Sequence, residues 1–184
     1  MSGRRTRGKP QGRLAAGAGR GFTLIELMVT VAVLAIIAGI AVPSMSRMIM
    51  ANRLTAAGNE IVAGLNLARM EAIRRHTKVT MCPTTDGTNC NNANGADWRR
   101  FIVRAADGTV LRETALSAGD YSVKGSGVAV TWAATGFNES ANANGRIAAC
   151  STKLSTGNQL AVDYGVSRIS SSRRTSANCA VGTP

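Results

Sequence analysis

The chain has 184 residues and is strongly basic, because 22 Lys and Arg side chains outnumber 10 Asp and Glu and give a formal net charge of +12. This length suits one domain beside a terminal segment. His76 is the only histidine, the acids are scattered, and neither a Ser/His/Asp signature nor a phosphate-binding glycine loop is present. These features argue against an enzyme, and we expect no catalytic residue, metal or cofactor.

The N-terminal region combines a basic segment with an apolar run. Residues 1–20 contain six basic side chains and no acid, and Glu26 is the only ionisable side chain from Phe22 to Val42. A helix of about 20 apolar residues spans the ~30 Å hydrocarbon core of a bilayer. Because positive charge holds the adjacent end inside, we expect one membrane span with the rest of the chain exported. A carboxylate within such a span costs roughly 2.5 to 3.5 kcal/mol unless it is paired.

The apolar run begins with Gly21-Phe22-Thr23-Leu24-Ile25-Glu26-Leu27-Met28-Val29. This segment resembles the type III signal of type IV prepilins and type II secretion pseudopilins. The resemblance implies that a prepilin peptidase cuts after Gly21 and methylates the new amine of Phe22. It also implies that Glu26 pairs with the terminal amine of a neighbouring subunit during filament assembly. A plain single-pass anchor and an ordinary secretory signal are the alternatives.

The resemblance also implies an order of segments and a location. Residues 1–21 are the cleaved cytoplasmic leader, and residues 22–42 are the transmembrane and assembly helix. The mature chain lies in the bacterial inner membrane with its C-terminal domain in the periplasm. It then joins other pilin or pseudopilin subunits in a pilus or pseudopilus.

The helical pattern continues beyond the apolar run. Pro43 predicts a kink rather than a stop, since helical spacing resumes at Ser44. We therefore predict that residues 43–76 form an amphipathic continuation of the helix, which packs on a globular domain. The predicted apolar stripe comprises Met45, Met48, Ile49, Leu54, Ile61, Leu65, Ala68, Ala72 and Ile73.

Short β-type runs replace the helical pattern after His76. Asp107-Gly108 between two such runs indicates a hairpin, and Thr88–Asn94 is predicted to be a surface loop. Strands without intervening helices favour antiparallel pairing. The prediction is an α+β fold, with one long N-terminal helix packed on an antiparallel β-rich domain at residues 77–184. The predicted strands are Lys78–Met81, Arg99–Arg104, Thr109–Glu113, Tyr121–Val123, Val128–Trp132, Arg146–Cys150, Gln159–Asp163 and Val166–Ile169.

All four cysteines lie in the predicted exported part, where thiols are oxidised to disulfides. Three connectivities are possible, and we expect local pairing of Cys82 with Cys90 and of Cys150 with Cys179. Each of these pairs brackets a polar loop that gains stability from closure, by about 2 to 4 kcal/mol. A four-cysteine zinc site is the alternative, although the sequence has no Cys-x-x-Cys spacing.

The pattern of the whole chain resembles the GspH/FimT group of pilin-like proteins. The shared features are the signal, the amphipathic helix with its segment Leu65–Ala72, a following strand that ends in Cys82, and a cysteine near the C-terminus. This group contains minor pseudopilins of type II secretion and FimT-type minor pilins, some of which bind DNA during natural transformation. The resemblance is greatest to a FimT-type minor pilin.

An arginine-rich C-terminal segment is the candidate DNA-binding site. DNA-binding members of the group share a glycine-arginine-x-arginine motif in a C-terminal loop, where this chain has Arg173-Arg174 without the glycine or the spacing. Arginines separated by serines, with no acid after Asp163, predict a flexible cationic strip for phosphate oxygens. A Cys150–Cys179 bridge draws two further cations toward this strip. The predicted DNA-binding residues are Arg168, Arg173, Arg174, Lys153 and Arg146.

Two functions are therefore open. The first is a minor type IV pilin that contributes to pilus biogenesis and binds double-stranded DNA independently of its sequence. The second is a type II secretion pseudopilin or a pilus-priming subunit without DNA contact. In the second case the basic segment only keeps the domain soluble or contacts a neighbouring subunit. Adhesion to another ligand is a third possibility.

Overall fold

The computed structural model describes residues 21–93, 95–140 and 144–182. Residues 1–20 of the predicted leader and Asn94 of the predicted surface loop lie outside the described residues. One helix precedes eight strands in the described part, so the predicted α+β fold is confirmed. The elements are α1 (Leu24–Arg75), β1 (Val79–Pro83), β2 (Arg100–Ala105), β3 (Val110–Ala115), β4 (Ser122–Gly125), β5 (Val130–Trp132), β6 (Gly145–Cys150), β7 (Gln159–Tyr164) and β8 (Ile169–Arg174).

Helix α1 begins directly after Thr23, whose hydroxyl oxygen accepts a hydrogen bond from the backbone N–H of Glu26 at 3.2 Å. Thr23 is thus the N-cap, and Glu26 occupies the third helical position, where a carboxylate suits the positive end of the helix dipole. The helix continues through Pro43, so the proline does not end it. The chain divides into two compact units, with the boundary between Ala41 and Val42.

The apolar stripe of α1 is buried over only part of its predicted length. From Leu54 to Ala72 every predicted stripe residue is buried, whereas the stripe residues on either side of this range are 45–65% exposed. The prediction was therefore wrong at both ends, because the β-structure covers the helix only between Met50 and Ala72. The exposed positions are Met45, Met48, Ile49 and Ile73, and the buried positions outside the predicted stripe are Met50, Ala57, Gly58 and Gly64.

The eight strands form two four-stranded sheets in which all strand pairs are antiparallel. The sequence predicted the antiparallel pairing but not the division into two sheets. The first sheet has the order β3-β2-β1-β5, and the second has the order β4-β6-β7-β8. The predicted hairpin joins β2 to β3, where Gly108 has a φ of 92° in the left-handed region that glycine favours. The chain therefore crosses from the first sheet into β4 and returns through β5 before it completes the second sheet.

The prediction of a last strand at Val166–Ile169 was wrong. The chain turns there instead, because the N–H of Gly165 donates to the carbonyl oxygen of Arg168 at 2.8 Å. The strand begins at Ile169, runs through three serines to Arg174 and pairs with β7 along its length. An edge strand needs a partner on one side only, so a serine-rich segment without apolar alternation can form it. The predicted flexible arginine loop is thus an ordered strand.

Both sheets pack on α1, and two glycines allow the close approach. A Cβ on Gly58 would overlap the side chain of Leu160 in β7, whereas a Cβ on Gly64 would lie 2.8 Å from the ring of Phe101 in β2. The helix backbone therefore lies directly against each sheet at these two points. The largest fully buried side chains are Trp98, Trp132, Phe101, Leu54, Ile61 and Leu65.

Two disulfides connect the cysteines in the pairing that the sequence predicted. Cys82 is bonded to Cys90 and Cys150 to Cys179, with Cα–Cα distances of 5.4 and 5.5 Å. All four cysteines are therefore in disulfides and cannot supply the thiolate ligands of a zinc site. The second bridge fixes the C-terminal tail, Ser176–Gly182, to the end of β6.

Candidate functional site

The predicted assembly segment, Phe22–Glu26, lies at the start of an apolar helix surface. Phe22 is 83% exposed, and every described residue from Gly21 to Ile49 is exposed. Within the described residues, α1 is the one helix that is long and apolar enough to cross a membrane by its length and composition. An apolar surface of this length needs lipid or another protein around it. The segment is thus suited to a membrane or to a contact with another protein.

Glu26 is the only charged side chain on this apolar surface, which extends from Phe22 to Val42. It lies in the first helical turn, four residues after Phe22. None of the ion pairs formed among the described residues includes Glu26. Its carboxylate is thus available to a cation from another molecule.

The two adjacent arginines of β8 do not form a single cationic strip. Arg173 pairs in register with Leu160 of β7, whereas Arg174 pairs with Gln159. Successive side chains of a strand point to opposite faces of the sheet. The alternation therefore places Arg173 on the face toward α1 and Arg174 on the outer face of the second sheet.

Arg173 connects β8 to the helix. One terminal nitrogen, Nη2, donates to the hydroxyl of Thr55 at 2.6 Å and to the carbonyl oxygen of Ala51 at 3.3 Å. The other, Nη1, donates to the carbonyl oxygen of Gly157 at 3.2 Å. Most of the hydrogen-bonding capacity of this guanidinium group is thus used inside the domain.

Arg146 lies on the outer face of the second sheet but is not at the surface. Its side chain is 3% exposed, and it donates to both carboxylate oxygens of Asp163 through Nε and Nη2. Arg174 donates to the same carboxylate at 3.3 Å, while its own side chain stays 45% exposed. The prediction that Arg146 extends a DNA-binding strip was therefore wrong, because burial and the bidentate pair withdraw its guanidinium from solvent.

The C-terminal tail covers Arg146 and part of the same face. Three side chains hold the tail by hydrogen bonds to its carbonyl oxygens, at 2.8 Å from Asn158, 2.8 Å from Gln159 and 3.2 Å from Arg146. The disulfide from Cys150 adds a covalent attachment. This covering explains why all six residues of β6 are buried, although β6 belongs to a sheet with one face toward the helix.

The last two predicted DNA-binding residues are both exposed. Lys153 pairs with Asp120 at 2.6 Å, and the side chains are 64% and 66% exposed. This hydrogen bond and the charge of Lys153 lower the pKa of the Asp120 carboxyl, and the charge of Arg53 adds a smaller effect. Arg168 lies in the exposed β7–β8 turn, and no ion pair among the described residues includes it. Of the five predicted residues, Arg168 and Arg174 thus offer the most accessible guanidinium groups.

Charged groups elsewhere form structural ion pairs. Hydrogen bonds from Arg74 and Arg75 lower the pKa of Glu71 to about 2 at the end of α1. In the part of the chain that the structure describes, no three His, Cys, Asp or Glu side chains are grouped to hold a metal ion. The pairs of Glu71 with Arg74 and Arg75 therefore stabilise the end of α1.

Comparison with protein families identifies two segments of the chain. The model described as "Type II transport protein GspH" matches residues 57–169, which is more than half of the chain. The model described as "Prokaryotic N-terminal methylation motif" matches residues 18–42, which contain Gly21, Phe22 and Glu26. The two matches cover the two parts that the sequence distinguished, the apolar helix and the domain that follows it.

Two crystal structures of the type IV minor pilin FimU from Pseudomonas aeruginosa (strain PAO1) share the fold. The structure in space group P21 is 20% identical with a TM-score of 0.55, covering 70% of this chain and 96% of that chain. The structure in space group P65 is 18% identical with a TM-score of 0.52, covering 69% of this chain and 100% of that chain. A search of curated protein sequences found no significant match. The chain thus belongs to the GspH family of pilin-like proteins, as its resemblance to the GspH/FimT group predicted.

Proposed function

We propose that the chain is a minor subunit of a type IV pilus or a closely related filament. The observation that carries the proposal is the apolar helix surface from Phe22 to Val42, which is exposed along its length and carries the single charge of Glu26. The match to the N-terminal methylation motif over residues 18–42 supports the same reading. The protein then acts through assembly, and the folded domain after Val42 is what the filament displays.

Assembly in this proposal depends on the charge of Glu26. A prepilin peptidase removes residues 1–21 and methylates the new amine of Phe22. In the apolar core of a filament, an isolated ammonium or carboxylate costs several kcal/mol. Pairing the amine of one subunit with the Glu26 carboxylate of another relieves both costs. No other residue of the apolar run is charged, so the amine can pair only at Glu26. The pairing therefore also fixes the axial position of one subunit relative to its neighbour.

Before assembly, the apolar helix holds the chain in the bacterial inner membrane. The basic residues before Gly21 favour a cytoplasmic N-terminus, which places the folded domain in the periplasm. The intact mass of the chain purified from membranes tests this processing. We expect a mature chain that begins at methylated Phe22, and an unprocessed, unmethylated chain for Gly21→Leu. A mature N-terminus beyond Val42 would instead identify a secretory signal.

Sequence-independent binding of double-stranded DNA, with a role in natural transformation, is the finer part of the proposal. It is supported by Arg168 and Arg174, which are exposed on the turn before β8 and at the end of β8. Ser170 lies between them on the same face as Arg174 and is exposed. Guanidinium and hydroxyl groups bind phosphate oxygens without reading bases, so binding would depend strongly on salt.

A filament subunit without DNA contact is the second candidate. This role as a type II secretion pseudopilin or a pilus-priming subunit is favoured by the internal contacts of Arg146 and Arg173. The matched family description, a type II transport protein, points the same way. Both candidates need Gly21, Phe22 and Glu26, and they differ in the role of Arg168 and Arg174.

A further inference from the structure

A basic notch lies between α1 and the turn that joins β6 to β7. Its volume is about 280 Å³, and it is open to solvent. Ser46, Met50 and Arg53 recur at helical spacing and therefore face it from the same side of α1. The residues that define the basic notch are Ser46, Arg47, Ile49, Met50, Arg53, Asp120 and Lys153. Three cations and one acid give it a positive charge.

Two of the cations in the basic notch are available to an external anion. Lys153 is engaged with Asp120 at 2.6 Å. Arg47 and Arg53 are both exposed, and neither takes part in an ion pair among residues 21–93, 95–140 and 144–182. Two guanidinium groups beside a lysine form a set of donors suited to a phosphate.

The position of the basic notch in the chain relates it to the membrane surface. Arg47 follows Val42, the last residue of the apolar run, by five positions, which correspond to about 7.5 Å of helix. Each polar layer of a bilayer is about 5 to 7.5 Å thick beside a hydrocarbon core of about 30 Å. Arg53 follows Val42 by eleven positions, about 16.5 Å of helix, and its side chain leans toward the N-terminus and so back toward the same layer. Met45 and Met48, each 65% exposed, continue the apolar surface beyond Val42.

We infer that the basic notch binds the phosphate of an anionic phospholipid headgroup and docks the folded domain on the membrane before assembly. Charge complementarity and continuity with the membrane span both favour a lipid as the occupant. An anionic membrane surface favours the docked state by roughly five-fold for each Lys or Arg near it. Docking of this kind is independent of DNA binding, and it requires only that the apolar helix be in the membrane.

The mature chain reconstituted in vesicles tests this inference. Thr152→Cys supplies one labelling site, because Thr152 is exposed beside Lys153 and the four natural cysteines are in disulfides. A fluorophore at this position is quenched by a headgroup-labelled lipid only when the domain lies on the membrane. We expect stronger quenching in vesicles with about 30 mol % phosphatidylglycerol than in phosphatidylcholine alone. About 0.5 M NaCl should abolish this difference, because it screens the attraction between the notch and the lipid charges.

Variants identify the residues responsible. Arg47→Gln/Arg53→Gln should lower the ratio of docked to undocked domain about thirty-fold, while reconstitution into vesicles is unchanged. The matched control is Arg112→Gln, which removes an exposed arginine that pairs with Glu60 instead of lining the notch. Equal quenching in both kinds of vesicle, or in wild type and the double variant, would overturn the inference. Release by added duplex DNA of a domain that carries Arg168→Gln/Arg174→Gln would also overturn it, because the notch itself would then bind nucleic acid.

Discussion

Arg146 and Asp163 stand directly opposite each other on β6 and β7, and their side chains form an ion pair that the C-terminal tail covers. Asp163 also accepts a hydrogen bond from Arg174, so one carboxylate holds two arginines on the outer face of the second sheet. Two of the arginines predicted to bind DNA, Arg146 and Arg174, thus form ion pairs within the folded domain. The stability of the folded domain therefore depends on the carboxylate of Asp163, which lies far in sequence from α1.

Removing Asp163 should destabilise the domain strongly. Asp163→Ala leaves the guanidinium of Arg146, which is 3% exposed, buried without its carboxylate. Loss of one partner of a buried ion pair typically lowers the free energy of unfolding by about 3 to 5 kcal/mol. Urea unfolding of the detergent-solubilised mature chain measures this change.

The control for this change is Asp120→Ala, which breaks the exposed pair with Lys153. An exposed pair contributes less than about 1 kcal/mol, so this variant should unfold nearly as the wild type does. Equal losses for Asp163→Ala and Asp120→Ala would contradict the structural role that we assign to the buried pair.

Much of the fold could be predicted because its signals are periodic and local. The stripe from Leu54 to Ala72 and the strand runs Arg146–Cys150 and Gln159–Asp163 were predicted closely, since burial imposes a regular spacing on them. Met45 and Met48 have the same spacing but are exposed, because the sheets do not extend over them. The spacing alone does not show where the sheets stop covering the helix.

The candidate DNA-binding site could be predicted less well, since its geometry depends on strand pairing. Ser170 to Arg174 lack apolar alternation, so the sequence indicated a loop where an edge strand forms. Once the strand exists, its alternation separates Arg173 from Arg174. Asp163 as the partner of Arg146 was missed, because only the register of β6 and β7 brings them together. The polar positions that these residues occupy within otherwise apolar strands were the available signal.

The two disulfides should differ in their effect on stability. The Cys150–Cys179 bridge closes a sequence separation of 29 residues, whereas Cys82–Cys90 closes 8. Loop-closure entropy predicts that Cys150→Ala/Cys179→Ala lowers the free energy of unfolding by about 3.5 kcal/mol and Cys82→Ala/Cys90→Ala by about 2.5 kcal/mol. Urea unfolding of both variants checks the order, and limited proteolysis should release the tail only in the first. A tail that stays protected in that variant would argue against the bridge as its main attachment.

The ion pairs at the end of α1 should make stability depend on pH. Hydrogen bonds from Arg74 and Arg75 lower the pKa of Glu71 from 4.5 to about 2. Since the folded-state pKa is depressed, the stabilisation is complete above pH 4.5 and is lost as the pH falls toward about 2. The melting temperature of wild type should therefore exceed that of Glu71→Gln at neutral pH, and the gap should close across this window. A gap of constant size from pH 7 to pH 2 would contradict the assignment.

DNA binding by the proposed face should depend on Arg168 and Arg174 together. A gel shift with duplex DNA should show weaker binding for Arg168→Gln/Arg174→Gln than for wild type, and the slope of log K against log salt should fall by about 2. Arg99→Gln is the matched control, because Arg99 is an exposed arginine paired with Asp97 elsewhere. Equal binding by the wild type and the double variant, or no binding at low salt, would favour the filament role without DNA contact.

The central claim, that Glu26 is an assembly residue, is tested most directly by the amount of subunit in filaments. Glu26→Gln keeps the size of the side chain and removes its charge, so the chain should still reach the membrane at the wild-type level. Glu60→Gln is the control, since Glu60 lies on the same helix and pairs with Arg112. The measurement is the ratio of subunit in sheared filaments to subunit in membranes. We predict that this ratio falls to background for Glu26→Gln alone, and a wild-type ratio for that variant would contradict the claim.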